Sequence, residues 1–249
     1  MLSVVIITNN EETFIRECLE SVSWADEIIV IDAFSTDNTV VIAKEYTSKV
    51  ILRDWINHAE QKNYGIKTAG NKWILSIDAD ERVSPELRKE ILELLNGTID
   101  KEGYQIPFKN YFRNTLIGHS GHYPDYHLRL FKNNYFFKNV DIHEYVDIPK
   151  DKIGYLKNHI IHFTYDSIFD LVKKINIYTS LEYNIKHRKS KTQYIWQYLF
   201  LPVKKFIWAF FYKNGFKDGM LGFVISICLS FYIFLELVKT WEVSKYEDV

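Results

Sequence analysis

Cysteine is nearly missing from this chain: 249 residues contain two, at positions 18 and 228. That is too few, and too widely spaced, for a disulfide framework or a cysteine-based metal site, and it fits a reducing cytosolic setting. Net charge is missing as well. Thirty-one basic residues offset thirty-two acidic ones for a formal charge of -1, so bulk electrostatics give no case for a nucleic-acid partner. Neither G-x-G-x-x-G nor G-K-[ST] occurs, which weighs against dinucleotide-binding and P-loop readings. Any phosphate must be held another way. A charged leader is also absent: Met1 is followed at once by an apolar run too short for a signal peptide, and the run reads as the first core strand.

What is present is enough for a sizeable core, since 47% of the residues are hydrophobic. Residues 2–7 form a continuous apolar run typical of a strand covered on both faces. Thr8-Asn9-Asn10 then supplies turn chemistry, and Phe14, Ile15, Cys18, Leu19 and Val22 recur at helical spacing. A second strand is expected over 27–32, a helix capped by Ser35-Thr36-Asp37, a third strand over 49–52 and a helix over 59–69. Such alternation predicts a parallel sheet with right-handed crossovers and a ligand crevice at the carboxyl ends of its strands. Ser84-Pro85-Glu86 is a strong helix start, and Asn96-Gly97 closes that helix. From 103 to 137 the pattern turns aromatic and β-prone, which predicts antiparallel strands extending the sheet. Another strand pair is expected over 153–163.

The stretch 73–81, W-I-L-S-I-D-A-D-E, is a short buried strand ending in three carboxylates, Asp78, Asp80 and Glu81. Acids placed there suit a divalent cation bound together with a phosphorylated substrate. An isolated D-x-D is more often only a solvated turn. Its neighbours in sequence decide otherwise.

Those neighbours are V-V-I-I-T-N-N-E-E at 4–12, A-D-E-I-I-V-I-D at 25–32, S-T-D-N-T at 35–39, Q-K-N at 61–63 and S-I-D-A-D-E at 76–81. In this order they resemble the nucleotide-binding half of bacterial family 2 glycosyltransferases, especially the lipopolysaccharide-core glucosyltransferase-like branch. The likeness continues through Arg129-Leu130-Phe131, His143-Glu144, I-I-H-F-T-Y at 160–165 and G-F-K-D-G at 215–219. It implies a GT-A α/β fold, with a Rossmann-like nucleotide half and a mixed sheet, over residues 1–164. One departure is visible. Phe34 stands where the family usually has glycine, in the turn after Asp32.

The resemblance implies an inverting sugar transfer from a nucleotide donor, UDP expected, to a lipid-linked or lipopolysaccharide-type acceptor. The donor site is expected to use Asp32 for the uracil N3–H, Thr8 and Glu11 toward base and ribose, Asp78 toward the donor, and Lys62 as a nearby positive charge. Asp80, with His162, is expected to hold Mg2+ or Mn2+. Transfer also needs a carboxylate to take the acceptor's proton. Glu144 is the expected base and Asp125 the alternative, each also able to pair with Arg129 instead. Two rivals are a sugar nucleotidyltransferase, for which no glycine-rich, arginine-bearing loop follows the first strand, and a non-catalytic membrane-bound sugar-nucleotide-binding subunit.

The last third differs in kind. Asp166 can cap a helix with Ile168, Leu171, Val172, Ile175 and Tyr178 as an apolar stripe. Between positions 185 and 217 there are eight Lys or Arg, no Asp or Glu, and ten aromatic residues. Lys204, Lys205, Trp196 and Trp208 are of the kind that sits at bilayer headgroup level. Residues 220–235 carry no charge, slightly short of the ~20 a simple span needs. Residues 165–249 are therefore read as amphipathic and hydrophobic helices, an in-plane or re-entrant hairpin on the cytoplasmic face of the inner membrane, peripheral or monotopic, with a transmembrane span over 220–235 as the alternative. The same helices offer a route to a homo-oligomer.

Overall fold

The computed structural model describes residues 1–140, 143–186 and 195–246. The basic turn read at 186–191 lies almost wholly outside them. In chain order β1 (Leu2–Thr8), α1 (Ile15–Val22), β2 (Glu27–Asp32), α2 (Thr39–Lys44), β3 (Val50–Leu52), α3 (His58–Thr68) and β4 (Trp73–Asp78) alternate as expected. Then come β5 (Glu81–Val83), α4 (Pro85–Asn96), β6 (Gly103–Phe112), β7 (Thr115–Leu116), β8 (Asp125–Lys132), β9 (Phe137–Val140), β10 (His143–Val146), β11 (Ile153–Tyr155) and β12 (Ile160–Tyr165). Three helices close the chain: α5 (Ile168–Lys186), α6 (Ile195–Ile207) and α7 (Gly219–Tyr246).

The main sheet runs β3-β2-β1-β4-β8-β6-β12-β5. β3, β2, β1 and β4 are mutually parallel, and β8 joins β4 antiparallel. The sheet is therefore mixed, with a parallel half built from the strand and helix alternation. β9 and β10 form a separate antiparallel ribbon. One expectation needs correction: residues 153–163 do not pair with one another. β11 lies parallel to the start of β6, whereas β12 pairs antiparallel with β5. β5 escapes pattern reading because its buried residues include Glu81 and Arg82.

The chain divides into two compact units, one of residues 1–109 with 125–162 and one of residues 110–124 with 163–249. In the first, β1 sends Val4 and Ile6 to one apolar layer and Val5 and Ile7 to the other, as the two-residue period of a doubly covered strand requires. Each such side chain contributes about 1.5–3 kcal/mol by leaving water. α3 presses close on this sheet at Gly65, where a Cβ would overlap the Val5 side chain. Lys62, one turn earlier on α3, is thereby carried toward the sheet. In the α4 cap, Ser84 Oγ accepts the Leu87 N–H at 3.2 Å, with Pro85 opening the helix.

In the second unit Leu171 and Ile175 of α5 meet Ile225 and Cys228 of α7, while Ile168, Val172 and Tyr178 stay exposed. The helix is capped by Ser167 rather than Asp166: Ser167 Oγ accepts the Asp170 N–H at 3.1 Å. Lys239 fastens α7 to α5 by donating to Asn176 Oδ1, Thr179 Oγ1 and Ser180 Oγ at 2.7–2.8 Å. Residues 220–235 are not a hairpin in themselves. They belong to one uninterrupted helix that continues past a buried Glu236 to Tyr246, and with the short turn before it this segment is long and apolar enough to cross a membrane. α7 packs back on α6, where Ser230 Oγ donates to the Pro202 carbonyl at 2.8 Å.

Candidate active site

Strand register brings the first three site residues together. Thr8 lies opposite Asp32 on β2 and Ile7 lies opposite Asp78 on β4, so Thr8, Asp32 and Asp78 end three neighbouring parallel strands. This is the edge at which open α/β sheets take their ligands. Asp32 is fully buried, its oxygens accepting from the Ser35 N–H at 2.8 Å and the Ser35 hydroxyl at 2.5 Å. The turn it anchors contains Phe34, whose φ of +56° is the left-handed conformation that favours glycine. The turn geometry is thus kept without the glycine. Glu11 follows on the next loop, its N–H donating to Thr39 Oγ1 at 2.8 Å.

Beyond this edge lies a chain of ion pairs. Lys62 is only 1% exposed, and its Nζ lies 3.1 Å from Asp78 Oδ1 and hydrogen-bonds Glu144 Oε1. Arg129 NH2 reaches Asp78 Oδ2 at 3.2 Å and Glu81 Oε1 at 2.5 Å, and Glu81 Oε2 accepts the Asp78 N–H at 3.0 Å. Arg129 therefore pairs with neither Glu144 nor Asp125, the two partners its sequence context offered. Its guanidinium lies 5.2 Å from the Phe108 ring centroid. His127 and His162 flank the same ring at 4.6 and 5.9 Å. Asp125, the alternative base, sits two residues from His127 on β8 and pairs with its Nε2 at 3.0 Å.

Burial alone would raise the Asp78 carboxyl, but Lys62 and Arg129 outweigh it and hold the group well below the usual carboxylate range. Burial pushes Glu81 up to about 7, with Arg129 opposing and Asp78 adding to the rise. Arg129 stays a cation because Glu81 and Asp78 overcome the cost of its burial. Among the described residues four buried side-chain oxygens have no hydrogen-bond partner, Thr8 Oγ1, Ser76 Oγ, Asp78 Oδ1 and Glu144 Oε2, although Asp78 Oδ1 keeps the Lys62 ammonium as an ion-pair neighbour. Buried polar atoms left so are costly unless something binds them.

Asp80, Glu81 and His162 each offer a ligand atom within 4.8 Å of the others. Glu81 already spends both oxygens on Arg129 and on the Asp78 N–H. Asp80 and His162 are the partly open members, with His162 Nε2 3.4 Å from Asp80 Oδ2. One carboxylate and one imidazole, with room for phosphate and water oxygens, fit Mg2+ or Mn2+.

Residues 3–169 match the glycosyl transferase family 2 pattern. This chain belongs to that family. An uncharacterised glycosyltransferase of Rickettsia typhi is 33% identical over 98% of this chain and 87% of its own length. The lipopolysaccharide core biosynthesis glycosyltransferase LpsC of Rhizobium meliloti is 26% identical over 97% of this chain and 92% of its own. Among solved structures, TarS of S. aureus covers 99% of this chain and 90% of that chain at 14% identity, with a TM-score of 0.46. The family's GT-A architecture is the one seen here, a parallel half ending in the acidic motif and an antiparallel extension. The sequence points to Lys62 as a positive charge near the nucleotide but not to its burial between two carboxylates. Its partners lie 16 and 82 positions away, a separation no local pattern reveals.

The other functional residues named from sequence lie in the second unit and are described by themselves. Trp196 and Lys204 are exposed, while Lys205 and Trp208 are partly covered. Lys205 and Lys213 place their ammonium groups 4.3 and 5.3 Å from the Trp208 ring centroid. Trp196, Leu199, Phe200, Val203 and Ile207 are exposed at helical spacing along α6, as are Phe223, Ile227, Phe231, Phe234 and Trp241 along α7.

Proposed function

We propose that the chain transfers a sugar, with inversion, from a UDP-sugar to a lipid-linked or lipopolysaccharide-type acceptor at a membrane surface. The observation that carries the donor site is the conjunction, at one strand edge, of unpartnered oxygens on Thr8 and Glu144 with the buried Lys62 ammonium that pairs with Asp78. The hydroxyls of a nucleotide sugar supply donors to such oxygens, and its diphosphate supplies negative charge that the Lys62 ammonium can face. Asp32, Thr8 and Glu11 orient the base and ribose, and Asp78 faces the sugar side. Asp80 and His162 hold the divalent cation, which when bound neutralises charge growing on the leaving diphosphate.

Glu144 takes the proton of the acceptor hydroxyl as the new C–O bond forms and the bond from the anomeric carbon to the diphosphate breaks. Its Oε2, buried and unpaired, is the oxygen assigned to that proton. The name of the Rhizobium meliloti relative supports the acceptor class. The exposed apolar faces of α6 and α7 beside the Lys205 and Trp208 cluster support seating on the cytoplasmic leaflet by residues 165–249, with residues 1–164 doing the chemistry.

The test is a panel of nucleotide sugars scored for cation-dependent release of nucleoside diphosphate, with and without lipid extract. Lipid-stimulated release from a UDP-sugar is the expected result. Glu144→Gln should bind the donor yet fail in transfer, and full activity in that variant moves the base to Asp125 or elsewhere. Asp80→Asn should lose both cation-dependent turnover and Mn2+ binding read by paramagnetic relaxation. Truncation after position 191 should release the protein from anionic vesicles, and equal vesicle binding by both forms overturns the membrane assignment.

A further inference from the structure

The Q-K-N triplet on α3 ties that helix to three different places. Gln61 Nε2 donates to the carbonyls of Arg53 and Asp54 at 3.2 Å. Asn63 clamps β9, its Nδ2 donating to the Phe137 carbonyl and its Oδ1 accepting the Phe137 N–H, both at 2.8 Å. Lys62, between them, spends its ammonium on Asp78 and Glu144 and faces the Phe137 ring 5.3 Å away. Gln61 and Asn63 meet backbone and so fix the helix in place. Lys62 joins two side chains that belong to opposite halves of the proposed chemistry, the donor-facing Asp78 and the base Glu144.

The two cations of this network are not held alike. Arg129 is a planar fork braced between Asp78 and Glu81 and laid on Phe108, whereas Lys62 is a point charge on a flexible four-carbon stem. Three carboxyl groups, Asp78, Glu81 and Glu144, share these two cations. An incoming diphosphate adds further negative charge, and Lys62 is the cation able to turn toward it.

We propose that Lys62 is a positioning residue shared in competition between Glu144 and the donor's diphosphate. Without donor, the ammonium holds Glu144 through Oε1 and so keeps the whole carboxylate, its unpaired Oε2 included, in an orientation away from an acceptor hydroxyl. When the diphosphate enters beside Asp78, its oxygens draw Lys62 away and Glu144 is released. Donor then precedes productive acceptor binding. The inference rests on the donor-site reading and on Glu144 as the base, and its test separates the three.

Calorimetric titration of the full chain with UDP, and separately with inorganic pyrophosphate, both with Mg2+, reads the competition directly. Glu144→Gln removes the competing charge, so both probes should bind several-fold more tightly. Lys62→Met should bind them at least tenfold more weakly, and Lys62→Arg should recover part of that loss. The double variant should match Lys62→Met, because the gain from Glu144→Gln passes through Lys62. A residue that merely braces the fold does not make its partner's removal tighten ligand binding. Unchanged affinity in Glu144→Gln, or the same gain with Lys62 already removed, overturns the competition and leaves the donor site standing. No binding of either probe to the parent chain overturns the donor reading and the competition together. Full transfer by Glu144→Gln discards the base and with it the release step, and leaves the donor site standing. If Lys62→Met does not fold, the Glu144→Gln and Lys62→Arg titrations still decide.

Discussion

Lys62 Nζ lies 3.1 Å from Asp78 Oδ1, joining a helix to the end of the strand that carries the acidic motif. The pair is buried on the lysine side, and its dielectric surroundings make it far more consequential than an ion pair in solvent. It also explains why D-A-D-E is not a solvated turn. Asp78 is turned inward to two cations while Asp80, two residues on, pairs with His162.

Arg129 serves two carboxylates at once, so Arg129→Ala should strand Glu81 and leave Asp78 with Lys62 alone. Breaking a buried pair costs about 3–5 kcal/mol. A urea titration of the two chains checks this, and a loss under about 1 kcal/mol would show that Asp78 and Glu81 find other partners.

Stability should fall on acidification partly through Asp78. Its carboxyl is held below its ordinary 3.8 by Lys62 and Arg129, so its contribution is fully present above that pH and is lost as pH drops through the depressed value. Asp78→Asn should flatten the acid limb of a stability-against-pH profile. An unchanged limb would assign acid unfolding to other groups.

Phe34 is half exposed and strained rather than packed, with φ at +56°. A non-glycine residue in that region costs about 1–2 kcal/mol, part of which glycine returns as chain entropy. Phe34→Gly should therefore raise stability by about 0.5–1 kcal/mol in urea. A decrease would mean that the ring makes a contact worth more than the strain.

Gly222 on α7 faces the carbonyl of Gly215, which a Cβ would overlap. Both atoms belong to backbone, so neither can swing aside. Gly222→Ala should cost about 1–3 kcal/mol as an overpacking change, read as a lower melting temperature. No shift would show that the turn before α7 adjusts freely.

Much of the parallel half was legible in sequence because β1, β2 and β4 are short apolar runs buried on both faces. Residues 27–32 match β2 in full, and Ser84-Pro85 marks the start of α4. The antiparallel half was harder. β11 and β12 look like a local pair, yet their partners are β6 and β5, chosen by contacts far away in sequence. The cap of α5 shifted by one residue because a serine hydroxyl can serve the first turn as well as the aspartate before it. At the site, the acids announced themselves as a motif. What binds them did not, since Arg129 and Lys62 acquire their meaning only when β8 and α3 are laid against β4.

Glu144 stands on the β9–β10 ribbon, which among the described residues forms a sheet of its own, whereas Thr8, Asp32 and Asp78 all stand on the main sheet. The ribbon is moored to α3 through Asn63. Changes in its length or tip leave the register of β1, β2 and β4 untouched. Glu144 can thus be carried on a longer or shorter ribbon without moving the strand ends that hold Thr8, Asp32 and Asp78.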